Sequence, residues 1–78
     1  MKEKHYNKFR EVGLKISHYR KFRGYTQEGL AEKIDKNASF LSAVEAPNVN
    51  ATVSLDTLFD IAEALQIPPH KFLLSEED

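Results

Sequence analysis

The sequence predicts an all-α fold, and two patterns carry this prediction. Apolar residues recur at intervals of three and four, as in Phe9, Val12, Ile16 and Tyr19, which places them on one face of a helix. No segment alternates between apolar and polar residues for long enough to indicate a strand. We therefore expect helices to form the whole fold.

Length and composition predict a single domain over residues 1–78. A domain of this size buries only about 60% of the surface of its unfolded chain, and the absence of cysteine excludes disulfides. Close packing of helices must therefore stabilise it. We expect a helical core at about 8–74 and flexible ends at 1–7 and 75–78.

Turn and capping residues divide the chain into five predicted helices. Gly24 ends the first helix, and Asp35 fits the left-handed turn after the second. Thr26, Asn37 and Ser54 precede helical patterns and are expected to cap them. The five helices are expected at Lys8–Arg23, Gln27–Ile34, Ala38–Glu45, Leu55–Leu65 and Pro69–Leu73.

The apolar spacing also predicts which side chains face the core. The inward residues of the fourth helix are expected to be Leu55, Leu58, Phe59, Ala62 and Leu65. Phe72 and Leu73 are expected to hold the last helix against the rest of the domain.

Charge is distributed unevenly, although the net charge is only −1. Residues 1–24 hold eight Lys or Arg and two acids, a net charge of +6, whereas residues 25–78 hold three Lys and ten acids, a net charge of −7. This asymmetry fits an anionic partner for the basic end, and it equally fits a solvated surface of mixed sign.

Several function classes are disfavoured by the residues. His5, His18 and His70 lie on different predicted elements without cysteine partners, so no metal or cofactor is expected. Nothing suggests a nucleophile with an ordered base, so we expect no enzyme and no small-molecule substrate. The first residues carry charge without an apolar stretch, which predicts a cytoplasmic protein with no membrane association.

Residues from about Val12 to Leu74 resemble the phage repressor/Cro, or xenobiotic-response-element (XRE), helix-turn-helix family. The resemblance is carried by the order and spacing of motifs in all five predicted elements. These motifs are Ile16 with Tyr19-Arg20-Lys21, Gly24-Tyr25-Thr26-Gln27-Glu28, Leu30-Ala31-Glu32-Lys33-Ile34, Phe40-Leu41-Ser42 with Val44-Glu45, Ser54-Leu55-Asp56-Thr57-Leu58 with Ile61-Ala62, Ala64-Leu65 and Ile67, and Phe72-Leu73.

The resemblance implies a compact repressor-like domain that places its third helix in the major groove of double-stranded DNA. It implies that Gln27 anchors a phosphate, and that Arg20 and Glu45 form a structural ion pair beneath the DNA-binding surface. The residues expected to bind DNA are Thr26, Gln27, Lys33, Lys36, Asn37, Ala38, Ser39, Ser42 and Ala43.

Two functional hypotheses follow. The first is a sequence-specific DNA-binding repressor that acts as a homodimer on a two-fold operator, because one module contacts few base edges. The second is a protein-interaction module that keeps this fold with weak or no DNA binding. It arises because the recognition face has no Arg, Lys or Gln, which leaves Asn37 as the one residue suited to a bidentate base contact.

Overall fold

Four α-helices build the domain in the computed structural model, which describes residues 1–74. They are α1 (Tyr6–Phe22), α2 (Gln27–Lys33), α3 (Ala38–Glu45) and α4 (Leu55–Leu65). Single 3-10 turns at Glu3–His5 and Pro69–Phe72 flank them. No strand occurs within these 74 residues. The predicted all-α class is confirmed.

The prediction of five helices is corrected to four, because the last element is a 3-10 turn. Its amides bond three residues back, from Lys71 to Pro68 and from Leu73 to His70, at 3.0 Å each. A four-residue element that begins with the second of two prolines leaves no room for a series of hydrogen bonds to carbonyls four residues back.

The two chain ends predicted to be flexible differ in outcome. Segment 1–7 contains helical structure, because the 3-10 turn Glu3–His5 and the first residues of α1 lie within it. The predicted flexible segment 75–78 lies outside the described residues.

Polar side chains start three of the helices, as the sequence predicts. The hydroxyl of Thr26 accepts from the amide of Gly29 at 2.9 Å. The carboxamide oxygen of Asn37 accepts from the amide of Phe40 at 2.9 Å, and the Ser54 hydroxyl accepts from Thr57 at 3.1 Å. Each bond satisfies a backbone donor that has no partner within its own helix.

Left-handed residues end three of the helices. Gly24 has a φ of +80° after α1, and Asp35 has a φ of +57° after α2, as predicted. Gln66 also has a φ of +57° after α4, which the sequence analysis did not anticipate. This conformation costs a residue with a β-carbon about 1–2 kcal/mol, and Pro68 follows closely, where a helix cannot continue.

One apolar core joins all four helices and the last 3-10 turn. It consists of Val12, Ile16, Leu30, Ala31, Ile34, Leu41, Val44, Leu58, Ile61, Ala62, Leu65 and Phe72. The ring of Phe72 packs edge-on against Tyr19, with ring centres 5.3 Å apart, and this contact holds the end of the chain on α1.

The predicted inward face of α4 is wrong at two positions. Leu55 and Phe59 are 60% and 51% exposed, and Ile61 is fully buried in their place. The apolar arc of α4 is wider than the core it faces, so spacing alone could not select the side that packs. Leu73, also expected to face inward, is 59% exposed, and Phe72 alone anchors the turn.

A close approach between α1 and α3 depends on Gly13. A β-carbon at Gly13 would overlap the carbonyl oxygen of Val44, in the last turn of α3. Glycine in a helix interior costs about 0.5–1 kcal/mol relative to alanine, so a packing constraint must justify it. Here the absence of a side chain lets the two helix backbones approach each other.

We expect Gly13→Ala to destabilise the domain, although alanine is the better helix former. Overpacking costs about 1–3 kcal/mol, and overlap with a backbone atom cannot be relieved by a rotamer change. Urea unfolding should show a net loss of about 1 kcal/mol or more, whereas Asn7→Ala, at an exposed position of the same helix, should change stability by less than about 0.5 kcal/mol. A Gly13→Ala variant as stable as the parent would contradict the close approach.

Candidate nucleic-acid interface

The two central helices meet through a tight turn with a small contact residue. Ala31, midway along α2, is 2% exposed, and its carbonyl accepts from the amide of Lys36 at 2.9 Å. The left-handed conformation of Asp35 reverses the chain between the two helices. Leu30 and Leu41 are fully buried and fix the crossing from either side. The resulting helix-turn-helix presents α3 at the surface.

A bidentate ion pair fixes α3 to α1. The Nε of Arg20 donates to one carboxylate oxygen of Glu45 at 2.8 Å, and its Nη2 donates to the other at 2.9 Å. Both side chains are buried, with 9% and 5% of their surfaces exposed. Parallel donors matched to both carboxylate oxygens give strength and a defined geometry. The pair implied by the family resemblance is therefore present.

Two further contacts extend this pair to α2. The third donor of Arg20, Nη1, donates to the carbonyl of Tyr25 at 2.8 Å, just before α2. The carboxamide nitrogen of Gln27 donates to Glu45 at 3.1 Å. The pKa of Arg20 is raised, chiefly by its hydrogen bond to Glu45. A single buried carboxylate thus receives donors from α1 and α2 while it belongs to α3.

The predicted DNA-binding residues of α3 lie on one arc of the helix. Ser39 and Ser42 are exposed, and Ala38 and Ala43 are half-buried beside them. The opposite side of α3 is buried through Leu41, Val44 and Glu45. The outward arc thus offers two hydroxyl groups and two methyl groups.

The remaining predicted residues are less uniformly placed. Gln27 is half-buried rather than exposed, since its carboxamide binds Glu45. Thr26 and Lys36 are exposed, and the ammonium of Lys36 lies over the ring of Phe40, 5.4 Å from its centre. Lys33 lines a groove with residues of α4. This groove contains no residue of the outward arc of α3.

Asn37 has a structural task that competes with base recognition. Its carboxamide oxygen caps α3, so the group is held against the first turn of its own helix. A bidentate contact to adenine needs both the oxygen and the nitrogen of the carboxamide. The one residue suited to such a contact is therefore engaged before DNA arrives.

Four structural contributions to the position of α3 and its supporting helices were not predicted from the sequence. The bonds of Arg20 to Tyr25 and of Gln27 to Glu45 involve pairs whose proximity arises only when three helices assemble. Gly13 had a local signal, because a glycine in the middle of a helical pattern usually has a packing reason. Arg23, the residue that follows α1, donates to the carbonyl of Leu65 at 2.8 Å and so joins α1 to α4.

The described part of the chain has no group of three or more His, Cys, Asp or Glu arranged to hold a metal ion. Within the same residues, none of the helices combines the length and the apolar character that crossing a membrane requires.

This fold and this arrangement of α2, turn and α3 define a helix-turn-helix domain of the kind found in DNA-binding transcriptional regulators. A family model described as helix-turn-helix matches residues 16–72. The chain belongs to this helix-turn-helix family, and its resemblance to the XRE type is confirmed. This is a family of DNA-binding regulators rather than of enzymes.

Comparison with a curated relative gives the same family. Over 67 residues the chain is 36% identical to the HTH-type transcriptional regulator SinR of Bacillus licheniformis, a match over 86% of this chain and 59% of that protein. The chain thus spans well under two thirds of the length of this relative.

Solved structures show the same fold. The restriction-modification controller protein C.AhdI of Aeromonas hydrophila is 29% identical, with a TM-score of 0.79 over 87% of this chain and 96% of that one. A hypothetical transcription factor, NHTF, from Neisseria also has a TM-score of 0.79, over 90% of this chain and 78% of that one. Its 23% identity supports the shared fold alone.

Removal of one ion-pair partner should destabilise the domain strongly. Glu45→Ala leaves the Arg20 guanidinium buried without a counter-charge, which costs about 3–5 kcal/mol in comparable sites. Chemical denaturation should show this loss, and Arg20→Met combined with Glu45→Leu should recover a large part of it, because no charge then stays buried. The matched control, Glu32→Ala at an exposed position, should change stability by less than about 0.5 kcal/mol. Equal stability of Glu45→Ala and the control would contradict the role of the pair.

Asn37→Ser separates capping from base recognition. Serine caps helices about as well as asparagine, so stability should change little, whereas Asn37→Ala should cost about 1 kcal/mol. DNA affinity and base preference should also survive in Asn37→Ser, because the structure commits the carboxamide to the cap. Loss of preference at a single A·T pair, measured by fluorescence anisotropy on substituted duplexes, would show instead that Asn37 reads adenine.

Proposed function

We propose that this chain is a sequence-specific DNA-binding transcriptional repressor that acts in the cytoplasm by inserting α3 into the major groove. The observation that carries the proposal is the outward arc of α3, fixed by the buried contacts of Glu45 to α1 and α2. A recognition helix must be held rigidly before DNA arrives, since its hydrogen bonds depend on its register in the groove. The relative named as an HTH-type transcriptional regulator and the structure named as a restriction-modification controller protein support the same function.

The chemistry of the arc indicates how bases are read. The hydroxyls of Ser39 and Ser42 make single hydrogen bonds, and the methyl groups of Ala38 and Ala43 suit the methyl group of thymine. A good bidentate contact contributes about 1–3 kcal/mol of discrimination, and this arc provides none. DNA shape and repetition of the site must therefore supply much of the specificity.

Repetition of the site points to a homodimer on a two-fold operator. Three leucines near the end of the described chain and at the start of α4 are exposed: Leu55 at 60%, Leu73 at 59% and Leu74 at 42%. Exposed apolar side chains of this kind are suited to a contact through which two copies pair, and pairing doubles the number of base contacts.

Phosphate binding falls to Lys36, Gln27 and Thr26 in this proposal. Lys36 is exposed at the turn just before α3, where a cation can reach the backbone that borders the groove. The carboxamide of Gln27 donates a hydrogen bond to Glu45, so its orientation is fixed before it contacts a phosphate. Lys33, beside α4, is the weakest member of the predicted set.

Selection of bound sequences from random duplexes tests the proposal. Titration of the chain against the selected site should show weak binding to a half-site and much tighter binding to two half-sites in two-fold arrangement. Nanomolar binding to a half-site by a proven monomer would contradict the need for pairing. No duplex binding even at low salt would favour the protein-interaction hypothesis, to which the uncharged recognition arc also points.

Lys36→Ala should weaken binding to every duplex alike. Removal of one phosphate-binding cation lowers the slope of log affinity against log salt by about 1, so the salt dependence should become flatter. The control is Lys71→Ala, an exposed lysine in the last 3-10 turn with the same change of charge. A change of base preference in Lys36→Ala, or an equal decrease of affinity in the control, would show that the phosphate assignment is wrong.

A further inference from the structure

The outer face of α1 is basic around an exposed apolar residue. Arg10, Leu14, His18 and Lys21 follow one another at helical spacing, and all four are exposed. Leu14 is 47% exposed and lines a groove of about 470 Å³ with Arg10 and His18. The half-buried Glu11 contributes the acidic side chain of this groove. We call this surface, defined by Arg10, Leu14, His18 and Lys21, the basic face.

The outer face of α4 has the opposite charge around an exposed aromatic ring. Asp56, Phe59, Asp60 and Glu63 share this side of the helix, and Phe59 is 51% exposed. Phe59 and Glu63 line a groove of about 450 Å³. None of the three carboxylates has an ion-pair partner in the described part of the chain. We call this surface the acidic face.

The surroundings of the acidic face keep its charge negative. Asp60 and Glu63 line a second groove together with Asp35 and Lys33. One lysine therefore stands beside several carboxylates and pairs with none of them. The face would repel the phosphates of DNA and attract a cationic surface.

The two faces cannot meet within one molecule. The inner side of α1 packs into the core through Ile16, and the inner side of α4 packs there through Ile61. Their outer sides therefore point away from the shared core. Within residues 1–74, neither face therefore meets its match in charge and apolar content on the same molecule, whereas a second copy offers both.

We propose that the basic face of one copy of this chain packs against the acidic face of a second copy. Leu14 and Phe59 would form the apolar centre, while Arg10 and Lys21 lie opposite Asp60 and Glu63. Pairing of like faces would place like charges together, so the contact is head to tail. A head-to-tail contact leaves one face of each kind open at its ends, so further copies can join.

This contact does not use the outward arc of α3, and it differs in chemistry from the two-fold pairing through exposed leucines, although Leu55 lies on the same side of α4 as Phe59. It depends on charges near the surface, so salt screens it strongly, whereas an apolar contact persists. Two opposed helix faces bury a small area, which places the contact among weak and transient interfaces.

Sedimentation equilibrium of the full chain without DNA tests the proposal. At about 0.1 M salt the average mass should rise with concentration beyond that of a dimer, and at about 1 M salt, where the screening length falls to about 3 Å, this rise should disappear. Charge reversal in Asp60→Lys/Glu63→Lys, or in Arg10→Glu/Lys21→Glu, should weaken the low-salt association about tenfold or more.

Mixing the two charge-reversed variants gives the decisive result. Each provides faces that complement those of the other, so a mixture should associate as the parent does, whereas each variant alone should associate about tenfold or more weakly. The control, Glu3→Lys/Glu32→Lys, has the same change of net charge as the α4 variant at exposed positions outside both faces, and it should associate normally. Rescue on mixing excludes misfolding as the cause of the weaker association.

Three results would overturn the proposal. The first is an average mass that does not change with salt, or variants that associate like the parent. The second is a loss of duplex binding in Arg10→Glu/Lys21→Glu with unchanged mass, which would make the basic face a DNA surface. The third is association only after removal of the acidic residues 75–78, which would make this tail the occupant of the basic face. Duplex binding by the parent is measured separately, so a failure here leaves the proposed function standing.

Discussion

The carboxylate of Glu45 is the point at which the helices of this domain are joined. It belongs to α3, accepts two bonds from Arg20 of α1 and a third from Gln27 of α2, while Arg20 also holds the carbonyl of Tyr25 before α2. Burial of two charges is costly unless each hydrogen-bonding group finds a partner, and no buried side-chain nitrogen or oxygen in the described residues lacks one. A fully satisfied network of this kind has one geometry, so it sets the position of α3 more sharply than apolar contacts alone would.

The rest of the structure accommodates that network. Gly13 lets α1 lie close enough to α3 for Arg20 to reach Glu45, and Ala31 lets α2 and α3 cross closely. Arg23, three residues after Arg20, ties the same end of α1 to the carbonyls that end α4. Helix α1 therefore holds the recognition helix α3 in position.

The surface divides into regions of different chemistry. The outward arc of α3 is polar and uncharged, which suits base edges and methyl groups but gives few strong contacts. The outer faces of α1 and α4 have opposite charges, and they contribute part of the uneven charge of the sequence. A protein whose net charge is near zero can therefore have surfaces suited both to an anionic polymer and to its own copies.

The sequence by itself determined the four α-helices, the caps of α2, α3 and α4, and the family. Thr26, Asn37 and Ser54 act within three residues of their own positions, and Asp35 and Gly24 act on their own backbone, so each leaves a signal in local sequence. Only the tertiary structure decided which side of α4 is buried, because Phe59 and Ile61 are both apolar and the side that packs depends on the neighbouring helices. The same holds for Gln27: residue type gave its carboxamide the capacity to contact DNA, and folding gave it a partner, Glu45, that lies 18 positions further along the chain. Side-chain chemistry is local, but the choice among its possible partners depends on residues that are distant in the chain.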